Sequence, residues 1–241
     1  MKSVWFVFII SLLDFVYAPL GYYLMSFDLE REALIASGLK EGDRITRYLT
    51  RLQHLHVQFL SNVTTSDSAL TRAKQLFDWL WNDRPNRYRP KGSYRLYEVI
   101  DTQISGESES VGNCLGLTLL YNCLLRKSGI KAKGLNLENA FGTRPHVLTF
   151  LKAERLTIDV ENIVPEGFDY KGHLKNLSRT VWGDKELVAD IYHSLGNDFF
   201  EKQEFNSALF HYDLALKLNP EYEKARMNKV ILLDKMETET E

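Results

Sequence analysis

A disulfide framework is out of reach for this chain, because its 241 residues carry two cysteines and both fall in one helical stretch. Cys114 and Cys123 are separated by roughly 13 Å at about 1.5 Å of rise per residue, too far for a bridge. Charge of one sign is also lacking. The 30 Lys and Arg balance 32 Asp and Glu and are spread along the chain, for a net charge of -2. Nucleic acid is thereby excluded as an expected partner, since no basic face can form. Metal-ligand spacing is missing too: His54 and His56 lie two positions apart in a helix and point to different faces. No metal and no other cofactor is expected. What is present is apolar content, at 44% enough for a sizeable core in one or two domains.

The first 25 residues form an apolar segment that patterning leaves open. Lys2 followed by Val4 to Leu13 has the charged start and short apolar core of a secretory signal, and Val16, Tyr17 and Ala18 stand near a possible cleavage point. Pro19 argues against cleavage. Read as an uncleaved anchor, Val4 to Met25 is long enough to span a bilayer, but Asp14 would cost roughly 2.5–3.5 kcal/mol in its middle. A buried first helix is the remaining reading. Lys2 and the run after it make association with the membrane or cell envelope the expectation, with a cytoplasmic location as the alternative.

Downstream, apolar residues at helical spacing predict two helices between Asp28 and Ser61, broken near Gly42 and Asp43. A third runs from a cap at Ser66 or Asp67 along Leu70, Ala73, Leu76, Phe77 and Leu80, ending before Pro85. A short helix (RLYEVIDTQI) leads into an exposed loop at Gly106 to Ser110. From Cys114 to Lys127 the helix is apolar on most of its surface and belongs in a core, with Gly129 as its left-handed stop. Three runs of strand length follow: Ile130 to Leu137, Pro145 to Leu151, and Leu156 to Val160. This order predicts an α+β fold in which an antiparallel sheet packs on the cysteine-bearing helix.

Cys114 opens that helix, where unpaired amides and the positive end of the macrodipole favour thiolate. Free cysteine is often a mere core residue, and Cys123, mid-helix beside Leu124, reads that way. Cys114 differs by its position and by the residues that follow it. His146 sits on the next predicted strand but one and is the candidate base. If Ala153 and Glu154 form a two-residue hairpin turn, Leu148 faces Asp159 and His146 faces Glu161, so Asp159 is one diagonal step from His146. Asp159 is then the candidate orienter. Asn113, Gln103 and the Cys114 amide are possible oxyanion donors. Glu161 and Asp169 read as solvated loop positions, with further carboxylates near the site as the alternative, and His173 reads as a surface residue in a polar loop.

Gly112-Asn113-Cys114-Leu115-Gly116-Leu117, then Pro145-His146-Val147, then Thr157-Ile158-Asp159 resemble the Cys, His, Asp succession of the transglutaminase-like superfamily, and Leu70 to about His173 is similar to its bacterial branch. The resemblance implies a papain-like arrangement in a domain covering residues 26–182: Cys114 as nucleophile, His146 as base and acid, Asp159 as orienter. It also implies a second possibility, since related bacterial domains without the cysteine bind rather than catalyse. A thiol acyl-transferase or amide hydrolase acting on a protein or peptide is one expectation. A silent binding module is the other.

Tyr192, Leu195, Gly196, Phe199, Ala208, Tyr212, Ala215 and Pro220 resemble a tetratricopeptide repeat, spanning Leu187 to Pro220. A helix from Glu223 to about Met236 resembles a cap, which gives a C-terminal helical unit at residues 187–236. One such repeat cannot stand alone, so it should dock on the larger domain and either contact a partner protein or cover apolar surface.

Overall fold

The central helix α5 (Cys114–Lys127) is buried from Leu115 through Leu125, as its nearly continuous apolar surface demands. In the computed structural model, which describes residues 27–40, 42–63, 68–106, 110–142, 144–153 and 155–238, the other elements assemble around this helix. On one side lie α1 (Leu29–Ala36), α2 (Asp43–Leu60), α3 (Ala69–Asp83) and α4 (Leu96–Ser105). On the other lies a four-stranded antiparallel sheet of β1 (Ala132–Ala140), β2 (Arg144–Ala153), β3 (Leu156–Val160) and β4 (Arg179–Trp182), in the order β3-β2-β1-β4. The fold is α+β.

Each helix announces its buried face by its spacing. In α2 the stripe is Ile45, Tyr48, Leu52, Leu55 and Phe59; in α3 it is Ala73, Leu76, Phe77, Leu80 and Trp81. Asp28 caps α1 by accepting from the Glu30 and Arg31 amides at 3.1 and 3.2 Å. The cap of α3 is Ser68, which accepts from the Thr71 amide, and not Ser66 or Asp67. At the far end of α5, Gly129 takes the left-handed conformation (φ 73°) and the Ile130 amide returns to the Leu125 carbonyl.

The sheet departs from expectation in two respects. It has a fourth strand, β4, whose four residues are too short to show alternation and whose partner, β1, lies far upstream in sequence. In the β2–β3 hairpin Phe150 pairs with Asp159, Leu151 with Ile158 and Ala153 with Leu156. Relative to the expected pairing of Leu148 with Asp159, the register is displaced by two residues. Side chains keep their faces under that displacement but change neighbours.

After β4 the chain forms α6 (Asp184–Glu201), α7 (Phe205–Leu218) and α8 (Glu223–Thr238). Leu187, Val188 and Ile191 of α6 join the main core, and α6 packs on α1. Asp198 accepts from Tyr94 Oη at 2.5 Å and pairs with Arg95 at 3.0 Å, which ties α6 to the start of α4. A separate small cluster of Ala208, Tyr212 and Leu232 holds α7 and α8 together. The apolar N-terminal segment at residues 1–25 lies outside the described residues. Among those described, no helix is long and apolar enough to cross a membrane.

Where α6 meets α7, a Cβ added at Gly196 would run into the Tyr212 ring, whose Cζ would stand 3.2 Å away. The ring is buried and cannot swing aside. Gly196→Ala should therefore lower stability by about 1–3 kcal/mol, read as a lower urea midpoint at unchanged slope.

Candidate active site

Position, not residue type, separates the two thiols. Cys123 is buried within α5, where burial pushes its thiol well above the usual range. Cys114 is half-buried at the first position of α5. Asn113 caps this end, its side-chain oxygen accepting from the Gly116 amide at 3.0 Å, while its own amide donates to the Ser93 carbonyl at 3.0 Å. The segment before the cap is held by the loop after α3: the Val111 and Gly112 amides both donate to the Arg87 carbonyl, and the Arg89 amide donates to the Gly112 carbonyl. This pairing brings Tyr88 to the cysteine. Together with Pro90, Phe141, Arg144, His146 and Ile163 it lines a cleft of about 320 Å³ that contains Cys114.

The helix is fixed against the sheet by buried polar side chains. Thr118 Oγ1 donates to the Val147 carbonyl at 3.3 Å, Thr149 Oγ1 donates to Asn122 Oδ1 at 2.7 Å, and Asn162 donates to both hydroxyls at 3.2 and 3.0 Å. Val147 and Thr149 lie on β2, the strand that carries His146, so these bonds set the helix–strand separation at the site. The His146 imidazole shares this cleft with the Cys114 thiol. Its Nε2 lies 2.9 and 2.8 Å from the two oxygens of Glu161, which leaves Nδ1 for the sulfur.

Glu161, and not Asp159, is the carboxylate at His146. Carried one residue past β3, the observed register sets Glu161 opposite Leu148, one diagonal step from His146, the place expected of Asp159. Asp159 is buried elsewhere, held by both terminal nitrogens of Arg179 at 2.6 and 2.9 Å. His173 is also buried, contrary to its reading as a surface residue, and its Nε2 lies 3.1 Å from Glu161 Oε2. The expected hairpin register already set Glu161 opposite His146 but did not choose it over Asp159, and His173 had no sequence signal beyond its residue type: the loop at residues 161–178 holds many polar residues, and its folding back on β3 brings His173 to Glu161. Asp169 remains exposed, paired with Lys171. Of the expected oxyanion donors, Gln103 donates to Asp83 on the far side of α4 and Asn113 serves as the cap. The Cys114 amide, in the first turn, has no partner within the helix by position.

No family model, curated protein or solved structure matches this chain. What the site can do has to be read from its own groups.

Burial opposes a charge on His146, but the Cys114 thiol and the Glu161 carboxylate, which accepts from the ring, outweigh it together with their charges and raise the imidazole to about 10. Burial likewise opposes the Glu161 charge, and the two histidines overcome it, holding the carboxyl below its usual range. The favoured state is a protonated imidazole between sulfur and carboxylate. Burial first, then the nearby thiol and Glu161, raise the Tyr88 phenol, which stays neutral and able to donate. The His146, Glu161 and His173 donor atoms all lie within 4.8 Å of one another, a set that could hold a divalent transition metal. The spacing of His54 and His56 gave no hint of it, because its members come from separate segments. Here the nitrogens bond the carboxylate directly.

The raised imidazole stabilises the fold fully below its ordinary value of 6.5, and that contribution is lost as pH climbs through about 10. Glu161→Gln removes the charge that holds the proton. The His146 titration followed by NMR should then drop towards the ordinary value, and the fall in stability over this alkaline window should flatten. Asp159→Asn, which acts on the site only through Arg179 and the loop behind it, should lower stability and move the His146 titration far less than Glu161→Gln does.

Proposed function

We propose that this chain is a thiol-dependent acyl-transferase or amide hydrolase of transglutaminase-like kind, in which Cys114 attacks a carbonyl and His146, oriented by Glu161, manages the proton. The observation that carries this reading is one buried imidazole that lines the same cleft as the half-buried Cys114 thiol and bonds the Glu161 carboxylate through Nε2. Cysteine at a helix start, histidine on a strand and a carboxylate at the end of the next strand also follow the order of the transglutaminase-like resemblance. The departure is the orienting residue, glutamate two positions beyond the expected aspartate.

In the first half-reaction the Cys114 sulfur forms a thioester with the substrate acyl group, and His146 passes its proton to the leaving amine. In the second, His146 takes a proton from water or an acceptor amine as that nucleophile attacks the thioester, releasing the acyl product and restoring the thiol site. The Cys114 amide points at the position where negative oxygen develops, by virtue of its place in the first turn of α5. The exposed Phe141, with its ring 5.5 Å from that of His146, offers an apolar wall to the substrate. The cleft suits a peptide or protein amide. The α6–α7 pair, with Gly196 against Tyr212 and Ala208 in the interface, is read as a tetratricopeptide repeat that docks on the larger domain and contributes a surface for protein contact.

Alkylation tests the chemistry without a known substrate. At pH 6 a free thiol is under about 1% ionised, so a Cys114 paired with imidazolium should react with iodoacetamide on the order of tenfold faster than the same thiol in the unfolded chain. His146→Ala should abolish the excess. Cys114→Ser should leave the folded protein unlabelled, because Cys123 is buried. Equal rates for the folded and unfolded thiol would exclude the enzyme reading in favour of a silent binding module.

A further inference from the structure

The Cys114–His146–Glu161 arrangement does not account for His173. This histidine is buried with Glu161 and spends its Nε2 on an oxygen, Oε2, that also faces His146. Its ring is enclosed by aromatic groups, with Phe141 at 4.9 Å and Tyr170 at 5.0 Å between centroids. Its backbone is tied down as well. Arg179 Nη1 donates to the His173 carbonyl at 3.0 Å while the same guanidinium grips Asp159. Asp159 therefore reaches the site indirectly, through Arg179 and the loop that carries His173.

We infer that His173 is a positioning residue for the thiol site: its ring N–H holds the Glu161 carboxylate turned towards His146, which makes the working unit a line of four groups from Cys114 to His173. The inference rests on the thiol reading of the site. A buried carboxylate with a single donor is left with desolvated lone pairs that favour taking up a proton, and a second donor removes that tendency. The titratable and charged groups facing Glu161 are His146 from β2, Cys114 from α5, Tyr88 from the loop after α3, and His173, with Arg144 near Tyr88 and the Arg179–Asp159 pair behind His173. His146 and His173 are the two that donate to the carboxylate.

The test compares wild type with His173→Leu, which removes the donor, and His173→Gln, which can restore one N–H. Two readouts are taken: the pH profile of Cys114 alkylation by iodoacetamide, and the His146 ring titration by NMR. Without the donor, Glu161 should protonate at higher pH. The acid limb of alkylation should move up by about one unit, roughly a tenfold lower rate at fixed pH on that limb, and His173→Gln should recover most of it. A drop in rate in His173→Leu with no movement of the limb, or a failure of His173→Gln to rescue, would reduce His173 to a packing residue and overturn the inference. So would one equivalent of zinc in the dialysed wild-type protein that is lost in His173→Leu, because metal-bound nitrogens cannot donate to Glu161. If the wild-type thiol shows no excess reactivity while the His146 titration still shifts in His173→Leu and returns in His173→Gln, the enzyme reading fails and the positioning role stands.

Discussion

The site depends on a buried amide. Asn162 lies just past β3 and donates to Thr118 on the helix and to Thr149 on the strand, while those hydroxyls go on to the Val147 carbonyl and Asn122. Apart from these bonds and one from Asn122 to the Lys133 carbonyl, helix and sheet meet largely through apolar side chains, whose attraction is non-directional and tolerates sliding. Hydrogen bonds in a dry interface do not tolerate it, because a shift would leave desolvated donors and acceptors unmade. The network fixes the longitudinal position of α5 against β2, and with it the distance between a residue at the helix start and a residue three strand positions before Thr149.

A second constraint acts on charge. Among the described residues the site buries a carboxylate and two imidazoles, an arrangement that would be costly if any member were unpaired. Burial opposes ionisation of both Glu161 and His146, and each is rescued by the other. Asp159 supports the same chemistry from a distance by holding Arg179, which fixes the loop bearing His173. The exposed Phe141, in the left-handed region at φ 49°, is the one strained non-glycine residue lining the thiol cleft.

The helices after β4 are continuous with this core. Leu187, Val188 and Ile191 extend it, Trp182 meets Tyr222 at 5.4 Å, and Asp198 binds Tyr94 and Arg95 ahead of α4. Ser93, next to those residues, also anchors the cap of α5 through its carbonyl. Contact made by the C-terminal helices is thus a few residues away from the helix start that carries Cys114.

Local pattern determined the elements that have a strong period: the stripes of α2 and α3, the mostly apolar α5 with its stop at Gly129, and the faces of β2 and β3, with Val147, Thr149 and Leu151 on one side and His146 and Leu148 on the other. It also separated Cys114 from Cys123, since helix position is legible in sequence. Tertiary structure alone decided which carboxylate meets His146. A displacement of two residues between paired strands returns every side chain to the same face, so alternation cannot distinguish Asp159 from Glu161. The choice was made by a hairpin register that pairs Ala153 with Leu156, by Asn162 bonding the helix, and by a downstream segment that brings Arg179 to one acid and His173 to the other. All three act between residues remote in sequence, and a pattern with period two records none of them.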